Sequence, residues 1–367
     1  MRGNNVLGII FPNVGDEALS ELTSLRSMGS VPFGGRYRLI DFELSSMVDC
    51  GMSKIGIITK GNYQSLMDHV GSGRAWDLSR KNGGLMIIPP FNTAGAGMHS
   101  TRIEALTGAM DFIRHCDEEF VLLTDCNFVC NMDYEKIFDY HVKTGADITA
   151  VYTKGVSPET KCLGFTVKDG RITEAGFVAN EEADYSMNIY FMRKALLERF
   201  VNDSIRTGEN DFEKLIIMDN TASLKIMGFE HKGFVKALDN LKSYFDTNMS
   251  LLESKNRKAL FTSERPVYTK VRDEVPAIYG LGSSVKNSLI TDGCVINGTV
   301  ENCILSHGVH IGKGAVVRNC ILMNNTYIGD GVHLDCVIAD KEVVIKPNKT
   351  LAGDASYPIF IGKMIVI

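Results

Sequence analysis

The stretch from Ile290 to Val344, ITDGCVINGTVENCILSHGVHIGKGAVVRNCILMNNTYIGDGVHLDCVIADKEVV, is where the reading of the chain begins. Hydrophobic residues recur roughly every five or six positions, at Ile290, Val295, Val300, Leu305, Ile311, Val316, Ile321, Ile328, Val332, Ile338 and Val344. Turn formers stand between them: Asp292-Gly293, Asn297-Gly298, His307-Gly308, Lys313-Gly314 and Asp330-Gly331. Helical periodicity is almost absent from 277–345. The spacing predicts a parallel β-helix with about six residues to a side and about 18 to a three-sided coil. About four coils result, with the recurring apolar residues pointing inward. Cys303, Cys320 and Cys336 are then placed to stack in successive coils. A β-sandwich of short strands is rejected, because hairpins would show polar/apolar alternation over longer runs.

Upstream the texture differs. Short apolar runs at Val6–Phe11, Ile55–Ile58, Phe120–Thr124, Asp147–Tyr152 and Met187–Met192 alternate with amphipathic stretches at Leu39–Cys50, Thr101–His115, Tyr134–Thr144 and Tyr244–Lys258. Buried strands alternating with helices predict an α/β domain with a parallel or mixed sheet, whose ligands bind at the C-terminal ends of the strands. The expected organisation is an α/β domain over 1–258, a linker over 259–276 carrying Pro266 and Pro276, and the β-helix domain over 277–367. A chain of 367 residues has room for two or three cores. No apolar run approaches the roughly 20 residues of a membrane span, and the N-terminus lacks a secretory pattern. The net charge of −5 gives no basic footprint for nucleic acid. Nine cysteines, an odd number with no CxxC pair, fit a reducing cytoplasm better than a disulfide framework.

Within the first domain, Val31-Pro-Phe-Gly-Gly-Arg-Tyr-Arg-Leu-Ile-Asp-Phe42 is the most specific motif. It closely resembles the motif that follows the phosphate loop in bacterial ADP-glucose pyrophosphorylases (glucose-1-phosphate adenylyltransferases). Further matches follow in order: Trp76–Gly84, Leu123-Thr-Asp125 with Met132-Asp-Tyr134, Ser186-Met-Asn-Ile-Tyr190, Asp211-Phe212 and the segment Leu241–Met249. The resemblance covers essentially the whole chain. It implies a Rossmann-like (GT-A-like) nucleotidyltransferase domain followed by a left-handed parallel β-helix of hexapeptide repeats. It also implies a role in joining ATP to glucose 1-phosphate, giving ADP-glucose and pyrophosphate for glycogen synthesis.

That chemistry needs a glycine-rich loop to cradle phosphates, cations to offset their charge, and carboxylates to hold Mg²⁺. The loop position reads Asn13-Val-Gly-Asp-Glu-Ala18, retaining only Gly15. Asp16 and Glu17 bring negative charge where a triphosphate should lie, and Ala18 replaces the basic residue. One like-charge contact at ~4 Å costs about 4 kcal/mol at an effective dielectric near 20. Met28 stands where the family has a lysine. Ala179 begins the segment that should carry the sugar-phosphate lysine, and Glu181, Glu182 and Asp184 follow it. Of two metal carboxylates, Asp125 is kept; the other position aligns with Ala237, unless a two-residue slip recruits Asp239. Gly15, Asp125 and Asp211 thus remain as a vestigial site.

Losses at these functional positions beside an intact frame resemble the GlgD-type subunit that accompanies a catalytic subunit in many Gram-positive bacteria. The resemblance implies a regulatory or scaffolding chain that is deficient in catalysis alone and requires no cofactor of its own. Its partner would be the catalytic, Mg²⁺-using glucose-1-phosphate adenylyltransferase subunit, in a hetero-tetramer, with a homo-oligomer open to the chain in isolation. An active enzyme with an unusual loop and a non-catalytic sugar-phosphate sensor remain as alternatives. Arg36 and Arg38 either hold a phosphorylated-sugar effector between the domains or pair with Asp41 or Glu43. His307, His310 and His333 are read as turn histidines, the alternative being a general base for a CoA-linked reaction. Cys126 and Cys130 are read as core residues rather than metal ligands. Trp76 is expected to fill a loop core, and Gly34-Gly35 to make a turn.

Overall fold

Along Val6–Phe11 the side chains alternate between two cores. Val6 and Ile10 join Leu39, Phe42 and Met47 of the helix Leu39–Asp49. Leu7, Ile9 and Phe11 join Ile103, Leu106 and Ile113 of the helix Arg102–Arg114. A strand covered on both faces has both alternate sets apolar, so it reads as an unbroken hydrophobic run. The computed structural model describes residues 3–81, 83–90 and 101–367; Asn82, inside the Trp76–Gly84 motif, lies outside them.

Val6–Phe11 belongs to a nine-stranded mixed sheet. Its order is Gly84–Ile88, Lys54–Ile58, Val6–Phe11, Phe120–Asp125, Glu182–Arg193, Ile148–Val156, Ile226–Glu230, Arg171–Val178 and Cys162–Lys168. The first four are parallel, and Glu182–Arg193 runs antiparallel to its two neighbours. The helix expected over 244–258 is two helices, Leu241–Ser250 and Ser254–Leu260. The break is capped from the second helix. Arg257 donates to the carbonyls of Leu251 and Leu252, and the Asn256 amide donates to that of Ser250, satisfying groups that a helix end leaves open.

From Ile278 the chain winds into three parallel five-stranded sheets, so the β-helix has five coils rather than about four. One rung runs Ile278, Val295, His310, Tyr327, Val344. The inward row also needs correction. Ile296, Val317, Leu322 and Ile345 fill the interior, whereas their neighbours Val295, Val316, Ile321 and Val344 do not. Adjacent strand residues point to opposite faces, and here both members of each pair are apolar. Cys303 and Cys320 stack as expected, the Cys320 amide donating to Cys303 Sγ at 3.4 Å. Cys336 leaves the column for a corner at φ +51°, the conformation held by Asn302 and Asn319 in the coils before it, and Val337 is in the core instead.

The two halves share one core. Ile321, Met323 and Ile338, on the outer side of the third sheet, join the cluster that holds Phe33, Tyr244 and Leu260. The turn at Gly34-Gly35, both with positive φ, links the short strands Pro32–Phe33 and Tyr37–Arg38. A Cβ on Gly35 would come within 3.0 Å of Thr291, so glycine allows the motif to press against the first coils. Asp41 is fully buried and accepts from the Arg38 amide, Thr269 Oγ1 and His69 Nε2, tying the helix Leu39–Asp49 to the segment before the β-helix.

Arg26 and Asp340 close the contact with two parallel hydrogen bonds of 2.9 and 2.7 Å, their side chains 3% and 4% exposed. Removing one partner strands a buried charge. Arg26→Ala or Asp340→Ala is therefore expected to lower unfolding free energy by about 3–5 kcal/mol, and the double variant by less than the sum. Chemical denaturation of the four proteins checks this.

Candidate functional site

The C-terminal ends of the parallel strands open onto a cavity of about 580 Å³. Its rim is the segment 13–18 after the strand Val6–Phe11, Lys60–Asn62 after Lys54–Ile58, and Asn127 and Phe128 after Phe120–Asp125. The loop is folded back on itself. Asn13 Nδ2 donates to Asp16 Oδ2 at 2.7 Å and to the Gly61 carbonyl, while Asn13 Oδ1 accepts from the Lys60 amide. The Asp16 and Ala18 amides donate to the Asn13 and Gly15 carbonyls. Asp16 Oδ1 takes the Met28 amide at 2.6 Å. Burial pushes the Asp16 carboxyl up to about 6, against the pull of Asn13 and Met28. Gly15, at φ +91°, makes the bend that brings these groups together. An internal carboxylate therefore holds amides that a phosphate would otherwise seek, and Glu17 lines the cavity beside it.

Opposite the loop, Asp125 ends its strand with 4% exposure. Arg102 Nη2 donates to Asp125 Oδ2 at 2.7 Å, and Arg102 Nη1 pairs with Glu213 Oε1 at 3.1 Å. Burial works against the Arg102 charge, but Asp125 and Glu213 outweigh it and raise its pKa above the ordinary value. Burial lifts Asp125 to about 7 even beside that guanidinium. Ala237 occupies the strand Val235–Ala237, paired with Phe128, and offers no oxygen ligand from its side chain. Asp239 is not among the residues lining the cavity, and its carboxylate is engaged by the Glu159 amide at 2.6 Å. Mg²⁺ needs free carboxylate oxygens. The residues here do not fit it, since the Arg102 guanidinium holds one oxygen of each carboxylate and sets a positive charge between them, and among the described residues no group of three His, Cys, Asp or Glu side chains is placed to hold a metal.

The remaining expected positions lie apart from this centre. Asp211 caps the helix Phe212–Ile216 by accepting the Lys214 amide, and Glu213 lines the cavity instead. Ala179 is exposed beyond the strand Arg171–Val178. Sequence reasoning missed Arg102 and Glu213, and also Lys161, whose Nζ sits 3.7 Å above the Phe177 ring at the cavity wall. The available signal for Arg102 was a cation in the first turn of a helix, where the helix dipole disfavours it.

A second, narrow pocket lies between the domains. It is lined by Arg36, Arg38, Lys270, Arg272, Lys341 and His307 among others, and by no carboxylate. Neither arginine's guanidinium bonds Asp41 or Glu43: Arg38 donates to Ser65 O and Oγ, and Arg36 lies over the Tyr37 ring. Burial, reinforced by Arg38, Arg26 and Arg272, lowers Lys341 to about 7. The three histidines are dispersed: His307 faces this pocket, His310 stacks on Tyr327 and His333 is exposed. Cys126 and Cys130 are buried in the core, where burial raises their thiols well above the ordinary range, and Trp76 is 2% exposed in the same core.

Behind Asp125, the fully buried Glu43 accepts from Tyr134 Oη and Thr124 Oγ1. Burial raises it to about 7 against those two hydroxyls. Its folded pKa exceeds the ordinary value, so its stabilising contribution is complete below about 4.5 and is lost as pH rises through about 7. Relative to wild type, Glu43→Gln is expected to gain up to about 3 kcal/mol across that window. Urea midpoints measured from pH 4.5 to 8 check the sign.

The chain matches the nucleotidyl transferase family model over residues 17–178 and the GlmU-like, C-terminal hexapeptide model over residues 277–357. The parallel sheets from Ile278 onward accordingly form a left-handed β-helix. The chain is 34% identical over 366 residues to the glycogen biosynthesis protein GlgD of Bacillus subtilis (strain 168), covering 100% of this chain and 98% of that protein. It is 37% identical to the protein of the same name from Geobacillus stearothermophilus, covering 86% and 83%. It is 30% identical to the glucose-1-phosphate adenylyltransferase of Clostridium perfringens (strain SM101 / Type A), covering 86% and 84%. With that similarity carried across both domains, the chain belongs to the GlgD family of glycogen biosynthesis proteins, relatives of glucose-1-phosphate adenylyltransferase.

Proposed function

We propose that this chain is a regulatory and scaffolding subunit that acts on a catalytic glucose-1-phosphate adenylyltransferase and is itself deficient in catalysis. The observation that carries the reading is the state of the cavity. Asp16 takes the Met28 amide and Arg102 takes Asp125 and Glu213, so the groups that phosphate and metal would need are engaged within the chain. The residues at 18, 28 and 179 supply no cation in their place. The chain needs no cofactor of its own, and Mg²⁺ belongs to the catalytic partner. It acts in the cytoplasm, in a hetero-tetramer, by contacts that favour the partner's active state; such a shift equals the difference in its affinity for the two states. Among the described residues no helix is long and apolar enough to cross a membrane.

The interdomain pocket supports a phosphorylated-sugar effector as the second input. Arg36, Arg38, Lys270, Arg272 and Lys341 concentrate positive charge where Asp340 is already committed to Arg26. An anion there would favour the charged form of Lys341, which burial and then the neighbouring arginines disfavour.

With ATP, glucose 1-phosphate and Mg²⁺, the purified chain is expected to turn over at least about 10³-fold more slowly than a catalytic member, since each lost electrostatic contact costs about 10²–10³ in rate. Mixing it with a catalytic subunit should give a mixed tetramer by native mass measurement and change that subunit's kcat/KM. Turnover by the chain alone at a normal rate overturns the reading. Calorimetric binding of glucose 1-phosphate without formation of a mixed tetramer would favour a sensor instead. In the assembled complex, Arg36→Ala should weaken the response to a phosphorylated-sugar effector, and an unchanged response removes Arg36 from the effector site.

A further inference from the structure

Arg102, Asp125 and Glu213 form a closed ionic unit beside the cavity. The guanidinium lies between the two carboxylates, at 2.7 Å from Asp125 Oδ2 and 3.1 Å from Glu213 Oε1, and its carbon is 4.9 Å from the centre of the Phe212 ring. The Asp125 and Arg102 side chains are 2% and 11% exposed, and Glu213 23%. Asp125 Oδ1 is buried with no hydrogen-bond partner. An orphaned carboxylate oxygen in such a place is costly unless a cation is near.

Arg102 is the first residue of the helix Arg102–Arg114, whose N-cap is Thr101. A cation in the first turn opposes the helix dipole. Its place is favoured by the carboxylates it meets, not by the helix that carries it. A planar fork with two separate N–H edges suits two carboxylates at hydrogen-bond distance. A divalent ion shared by Asp125 Oδ2 and Glu213 Oε1, at the about 2.0–2.1 Å of a Mg²⁺–oxygen bond, would have to sit where the guanidinium lies, and their like charges disfavour the two together.

We propose that Arg102 is a built-in cation that stands in place of a divalent metal, holding Asp125 and Glu213 as a latent carboxylate pair that binds a divalent cation only when the guanidinium is removed. The proposal deepens the reading of this chain as catalytically deficient and rests on it. Arg102 is here a positioning residue: it sets the two carboxylates and keeps metal out. Loss of metal binding in this chain is then a gain of an internal ligand as well as the absence of a second carboxylate at Ala237.

The test is a Mn²⁺ titration of the full chain, followed by calorimetry and by the loss of the free-ion electron paramagnetic resonance signal at pH 7.5. Wild type and Arg102→Lys, which keeps a cation, are expected to bind no Mn²⁺ at 1 mM, a concentration on the order of the weakest carboxylate sites. Arg102→Gln is expected to bind one Mn²⁺ per chain with a Kd on the order of 0.1–1 mM and to melt at a higher temperature with the ion than in chelator. Adding Asp125→Asn to Arg102→Gln should abolish that binding, which places the ion at this pair. Wild-type binding of Mn²⁺ that Asp125→Asn removes would overturn the proposal. So would a folded Arg102→Gln that binds none. If Arg102→Gln unfolds, recovery of its melting transition by Mn²⁺ supports the proposal and failure to recover counts against it. Activation of a catalytic subunit is read in a separate assay, so failure of the metal test and failure of the regulatory reading are distinguishable.

Discussion

The bidentate pair between Arg26 and Asp340 is the contact on which the two-domain arrangement depends. Both ions are out of water, and a buried pair is favourable only while both partners are present and well oriented. Arg26 lies two residues before Met28, whose amide Asp16 holds; Asp340 lies one residue before Lys341, at the cationic interdomain pocket. A single ion pair therefore fixes the degenerate loop and the candidate effector pocket in one frame. The apolar wall around it, with Ile321, Met323 and Ile338 facing Phe33, Tyr244 and Leu260 in a common core, excludes the water that would weaken it.

Within that frame, the cavity balances its charges internally. A loop carboxylate, Asp16, holds the Met28 amide at one side and a guanidinium bridges two carboxylates at the other. Such a site is neither collapsed nor filled with apolar side chains; about 580 Å³ stays open. Internal pairing gives the loop and the strand-end carboxylate partners within the chain, with no bound nucleotide required.

Much of this was legible in order of residues. Val6–Phe11 and Tyr134–Thr144 start and stop where their periodicity predicts. The β-helix was legible from its repeat, but not the side that faces inward, because Val316-Val317 and Ile321-Leu322 are apolar at both positions. Ile321 is apolar on the outside because another domain covers it, a fact that repeat spacing does not carry. The split at Leu251–Glu253 escaped notice because side chains of the second helix cap the first.

Local order along the chain determined two things: which segments are strands, helices and coils, through the alternation of apolar and polar side chains, and that residues 18, 28 and 179, where the family resemblance expects cations, are not basic. Only the tertiary structure decided what replaced them. Arg102 meets Asp125 and Glu213 from separate elements, and Arg26 meets Asp340 across 314 positions. Ionic energies depend on separation in space and on the surrounding dielectric, and neither is a function of distance along the sequence.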